Sequence, residues 1–215
     1  MELRQTAPNV FNIEGIPDKA KLVRVDSAEA AALAHWCLHR SDLKLADDYL
    51  ETINRTGDEF TRRALWHAAI VEFLKCFGNS ASRFPRLSAK DIYAARPPEA
   101  MLNFEFFNGL RDKHIAHDEN AYSQCLVVAA INDGKKDYKV EQVISLTHRF
   151  GTLGEEHWRN LKSLIATAQR WVEEQYEACR ARVAHELEQL PYDQLAALPV
   201  PSVTAPTATD ASKSR

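Results

Sequence analysis

From about Gly154 to Leu190, apolar residues recur at helical spacing, and no other feature of the chain limits its fold as tightly. Trp158, Leu161, Ile165, Ala168, Val172, Cys179, Val183 and Leu187 form one stripe. A stripe of that length is buried only against other helices. Partners of matching type lie upstream. Glu59–Phe77 is a second helix, set off by Gly57-Asp58 and ended by Gly78-Asn79. Phe60, Ala64, His67, Val71 and Leu74 share its expected buried face, and Ile70, Phe73 and Phe77 widen it. Gly is scarce, 7 of 215 residues, which suits long helices better than a many-turned sheet.

The remaining segments fit the same architecture. Asp26-Ser27 offers N-cap chemistry, with Glu29 placed as in a capping box, and a helix follows from about Ala28 to His39. Ser41-Asp42 either restarts a second helix carrying Leu43, Ala46, Leu50 and Ile53 or lies within one long helix. Ser88–Ala95 reads as a short helix. Pro97-Pro98 opens another, running from about Glu99 to His117 with Met101, Leu102, Phe104, Phe106, Phe107 and Leu110. The period then changes. Gln124–Asn132 and Asp137–Leu146, joined by Asp133-Gly134-Lys135-Lys136, read as a β-hairpin. The expected fold is all-α, a bundle of four or five helices with a small β-hairpin inserted before the long C-terminal helix. Residues 1–26 are an extended segment, with Lys21–Val25 as a short strand; 27–190 are the helical domain, with the hairpin at about 124–146; 191–215, rich in Pro, Ser, Thr and Ala, are a disordered tail beyond a short turn at Asp193–Leu198.

Charge and cysteines narrow the function. The net charge is −3, so any nucleic-acid contact has to be a local patch, not a basic surface. Cys37, Cys76, Cys125 and Cys179 show no CxxC spacing; Cys76 and Cys179 sit in apolar runs as buried thiols, and a reduced, cytoplasmic protein is expected. No apolar stretch is long enough to span a membrane, and Met1–Val10 lacks the basic-then-apolar order of a signal peptide. No cofactor or metal set is indicated. His35 and His39 stand at i, i+4, but no third ligand lies nearby.

The chemistry concentrates in Leu110-Arg111-Asp112-Lys113-His114-Ile115-Ala116-His117. At about 100° per helical residue, Arg111, His114 and His117 fall in one arc that continues the face of Phe106, Phe107 and Leu110. Histidine exchanges protons near neutrality, and arginine is a permanent cation that can hold two phosphate oxygens. Together they can run metal-independent RNA cleavage, in which a 2′-hydroxyl loses a proton, the leaving 5′-oxygen gains one and a fixed cation steadies the phosphate. Asp112, next to Arg111, can steer the guanidinium or a water. Arg83, Arg86, Lys90 and Arg96 form a basic cluster that could guide an RNA backbone toward the motif helix.

This segment resembles the Arg-x(n)-His signature of HEPN domains, with Arg111, Asp112 and His117 in the matching places. The resemblance implies a HEPN-like helical bundle and a homodimer in which two Arg/His sets meet in one cleft. It also implies an endoribonuclease acting as a toxin or in abortive infection or other defence, paired with an antitoxin or other regulatory protein. By position Arg111 would bind phosphate, His117 would be the acid or base, Asp112 would orient them, and His114 would be an additional proton carrier. Some members carry a Tyr two residues after the motif His, modified by a partner nucleotidyltransferase; here Glu119 takes that place. The alternative is a non-catalytic HEPN-like module that binds nucleotides, RNA or protein.

Overall fold

The computed structural model describes residues 3–7, 10–13, 21–78, 85–117, 119–202 and 205–210. Helices dominate it. The chain divides into two compact units, one of residues 39–79 and 86–173, the other of residues 1–38, 80–85 and 174–215. Two long helices, α1 (Ala28–Ile53) and α5 (Glu155–Glu188), contribute residues to both.

The larger unit is built on four helical stretches: the second half of α1, α2 (Glu59–Lys75), α4 (Pro98–Leu110) and the first half of α5. A short helix, α3 (Ala89–Tyr93), precedes α4. Asp58 caps α2, its carboxylate accepting from Thr61 N at 2.8 Å, and Ser88 caps α3. Pro98 stands in the first turn of α4, where its missing N–H costs nothing. The core gathers Leu43, Leu50 and Ile53 of α1, Trp66, Ile70 and Phe73 of α2, Phe107 and Leu110 of α4, and Leu161, Ile165 and Val172 of α5. Polar links tie the buried helices. Trp158 Nε1 donates to Leu50 O (3.1 Å), Tyr93 Oη to Leu164 O (3.1 Å), and Lys162 pairs with both Asp47 and Glu51. Burial pushes the Tyr93 phenol far above its ordinary range.

The buried face of α2 keeps Ile70, Phe73 and Leu74 of the expected one and departs from it elsewhere. Trp66, Ala69, Ile70, Phe73 and Leu74 are inside, whereas Phe60 is 72% exposed and Val71 is exposed as well. Trp66, the largest side chain of the helix, recruits the stripe one step round from the expected one, because it packs edge-on against Phe107. The face carrying Phe60, Ala64 and His67 is left to border a cleft.

After α4 come β3 (Ser123–Ile131) and β4 (Val140–Arg149), an antiparallel hairpin running from Ser123↔Arg149 to Ile131↔Val140. It matches the expected insertion, extended by a few residues at its base. Gly134, at φ +79°, supplies the left-handed turn residue.

In the smaller unit, β1 (Leu3–Ala7) and β2 (Val10–Ile13) form a second antiparallel hairpin. The expected strand at Lys21–Val25 is absent; that segment is irregular, with Arg24 N bonded to Pro199 O. Ser27, not Asp26, caps α1, accepting from Ala30 N at 3.1 Å. With Ser27 as N-cap the capping-box place falls on Ala30, so Glu29 completes no box, and its carboxylate accepts from Arg182 Nε at 3.0 Å. Cys179 is buried against Glu29. The turn expected at Asp193–Leu198 is a six-residue helix, α6 (Tyr192–Ala197). Among the described residues, no helix is long and apolar enough to cross a membrane.

Candidate functional site: a histidine–arginine cleft

The motif segment is not α-helical. α4 ends at Leu110, and Arg111–Ala116 form a π-helical turn. In such a turn each N–H bonds five residues back, so each residue advances the chain less than an α-helical residue does. Arg111, His114 and His117 therefore leave the single arc expected of them.

Arg111 sits at the C-terminal end of α2. Its Nη1 donates to Leu74 O at 3.3 Å, and its Nε and Nη2 hold Asp112 Oδ1 at 2.8 and 2.7 Å. A cation there meets a carbonyl of the last turn of α2 and the negative end of its dipole. The Asp112 carboxylate thus holds the guanidinium against its own turn.

His114 faces the other half of α2. Its ring lies perpendicular to that of His67, centroids 6.0 Å apart, and 5.4 Å from Tyr122. Leu74 and His67 are seven residues apart, about 10 Å of helical rise. His117 is exposed at the end of the turn, with non-helical dihedrals. No hydrogen bond, ion pair or ring contact joins Arg111 to either histidine.

Arg86, Lys90 and Arg96 are exposed around α3, and none of them borders the cleft described next. Arg83 lies outside the described residues.

What the structure does bring together is a cleft of about 460 Å³ between α2, the π-helical turn and the base of the hairpin. His67 and His114 line it, with Arg63 one turn before His67 and Arg149 at the end of β4. Phe60 and Phe150, both exposed, stand at its border. The β3–β4 register sets Ser123 directly opposite Arg149, and both face this space. Thr152 closes one wall, its hydroxyl accepting from buried Trp66 Nε1 at 2.9 Å.

Two arginines, Arg63 and Arg149, and one carboxylate, Glu59, line the cleft, and its His67 is a neutral base. Burial depresses the His67 pKa below its ordinary value, and the nearby His114 and Arg63 depress it further. His67 is therefore neutral at pH 7 and able to accept a proton. The Nδ1 side of the His114 ring is turned into the protein and buried, without a hydrogen-bond partner among the described residues.

Sequence reasoning placed His67 and Phe60 together on a buried face and did not single out Arg63, Arg149 or Phe150. One signal was available: Phe60, Arg63, Ala64 and His67 stand at i, i+3, i+4 and i+7, a helix face holding both an arginine and a histidine.

No family model, curated protein or solved structure matches this chain.

Proposed function

We propose that the protein is a HEPN-like helical module that binds RNA and cleaves it without a metal, as a toxin or defence effector, with its chemistry in the histidine–arginine cleft. The observation that carries this reading is the perpendicular His67–His114 pair in one cleft with Arg63 and Arg149. Neutral His67 removes the proton from a ribose 2′-hydroxyl, whose oxygen bonds to the adjacent phosphorus. The bond from phosphorus to the 5′-oxygen breaks, and His114 acts as the acid that gives that oxygen a proton. Arg63 and Arg149 offset the charge that grows on the phosphate oxygens. The products are a 2′,3′-cyclic phosphate and a 5′-hydroxyl. Arg111 acts here as a positioning residue, anchoring to α2 the turn that carries His114.

The test is incubation of the purified protein with RNA in EDTA. Cleavage leaving 2′,3′-cyclic phosphate ends is expected. His67→Ala and His114→Ala should each lower the rate by about 100-fold or more, with the fold intact by circular dichroism. Undiminished cleavage by the double variant overturns the assignment.

A second reading, a non-catalytic HEPN-like binding module, is favoured by one observation. The Arg111 guanidinium already serves Asp112 and the Leu74 carbonyl. It predicts RNA retained in the cleft without cleavage, and the same incubation separates the two.

A further inference from the structure

The β3–β4 hairpin is apolar on both faces. Val127, Ile131, Val140 and Val143 lie on one, Leu126, Val128 and Leu146 on the other, and all are exposed. A hairpin lying on its own core keeps one polar face. An isolated two-stranded hairpin is at best marginally stable in water. With Tyr138 near the tip, these side chains are 38–74% exposed.

The edges are unequal. β4 carries Glu141 as an extra residue, since Ala130 pairs with Gln142 and Ile131 with Val140. Such a bulge, with its charge, blunts an edge. β3 reads Ser-Gln-Cys-Leu-Val-Val-Ala-Ala-Ile, nine residues without a charge, a proline or a bulge. Among the described residues its outer edge has no strand partner.

We propose that β3 is a self-association edge, pairing antiparallel with β3 of a second copy of this chain to make a four-stranded sheet. A two-fold axis suits this edge, because an antiparallel pair of identical strands is self-complementary. An uncharged strand meets its copy with no like-charge cost, and it offers nothing to attract a partner of opposite charge. The apolar side chains on both faces gain cross-strand neighbours. The contact proposed is β3 against β3, not the meeting of Arg/His sets that the HEPN resemblance implies, and it does not rest on the RNA reading.

The experiment measures mass by sedimentation velocity at tens of micromolar full-length protein, where a dimer is expected. Val127→Lys with Ala129→Lys should convert it to monomer without loss of helical circular dichroism. A second measurement locates the contact. With exposed Cys37 and Cys125 replaced by Ser, single cysteines are placed in turn at positions 126 to 129 and oxidised. Disulfide-linked dimer should peak at one position, next to the two-fold axis, and fall off on both sides. A monomeric wild-type protein overturns the proposal. So does a dimer that survives the lysines and cross-links at none of these positions.

Discussion

Trp66 donates its indole N–H to the Thr152 hydroxyl at 2.9 Å, across 86 residues of sequence, and both groups are buried. The bond pins the segment after β4 to α2 and so fixes one wall of the cleft. Thr152→Val removes the acceptor and strands the indole N–H. It should cost about 1–3 kcal/mol, read as a lower denaturation midpoint with an unchanged slope. Wild-type stability in this variant would show that the indole finds water instead.

Arg111 supports structure as well as charge, and the two roles make different predictions. Its guanidinium meets a carbonyl in the last turn of α2 and the carboxylate of Asp112, with a quarter of the side chain exposed. Arg111→Ala should lower stability by about 1–2 kcal/mol. Because His114 rides on the same turn, the pH profile of cleavage should shift in this variant as well as its rate. Loss of cleavage with unchanged stability and an unchanged pH profile would instead place the guanidinium on the substrate.

The architecture was legible where one force acted alone. Periodic apolar residues marked α2, α4 and α5, and the Asp133–Lys136 turn between β-rich runs marked the hairpin. It was illegible where two forces competed. On α2 both stripes are apolar enough to be buried, and Trp66 decides between them through Phe107, a contact across 41 residues that no local pattern encodes. In the motif segment, a helical wheel assumes an α-helical advance, and the π-helical turn breaks that assumption. Arg149 and Phe150 joined the site only through strand register, which aligns Arg149 with Ser123 from the far end of the hairpin. The candidate residues His114, Arg111 and Asp112 were visible; that His114 pairs with His67 rather than with Arg111 was not.

His67 should tie stability and the proposed cleavage to acid in the same direction. Its folded-state pKa is depressed, chiefly by burial. Below about 6.5 the unfolded chain binds a proton on this histidine before the folded chain does, so stability falls as pH drops through that value. The loss levels off once the pH is below the folded-state value. Cleavage should decline over the lower part of that window, as the base becomes protonated. His67→Gln should remove this acid component from a series of melting curves between pH 5 and 8, and an unaltered pH dependence in that variant would assign the titration elsewhere.

Substitution of Phe60 should separate the proposed RNA binding from folding. It stands 72% exposed in the first turn of α2, at the border of the cleft and one turn before Arg63. An aromatic ring beside a cation suits an unpaired base with its phosphate, and stacking of this kind contributes about 1–3 kcal/mol per base. So exposed a side chain contributes little to the core, and Phe60→Ala should change stability by no more than about 0.5 kcal/mol. Its affinity for a labelled single-stranded RNA, read by fluorescence anisotropy, should fall roughly 5- to 150-fold. Duplex RNA keeps its bases stacked on one another and presents none to Phe60, so its binding should be weaker from the start and indifferent to the substitution. Equal losses for the two RNAs would mean that Phe60 shapes the cleft without touching a base.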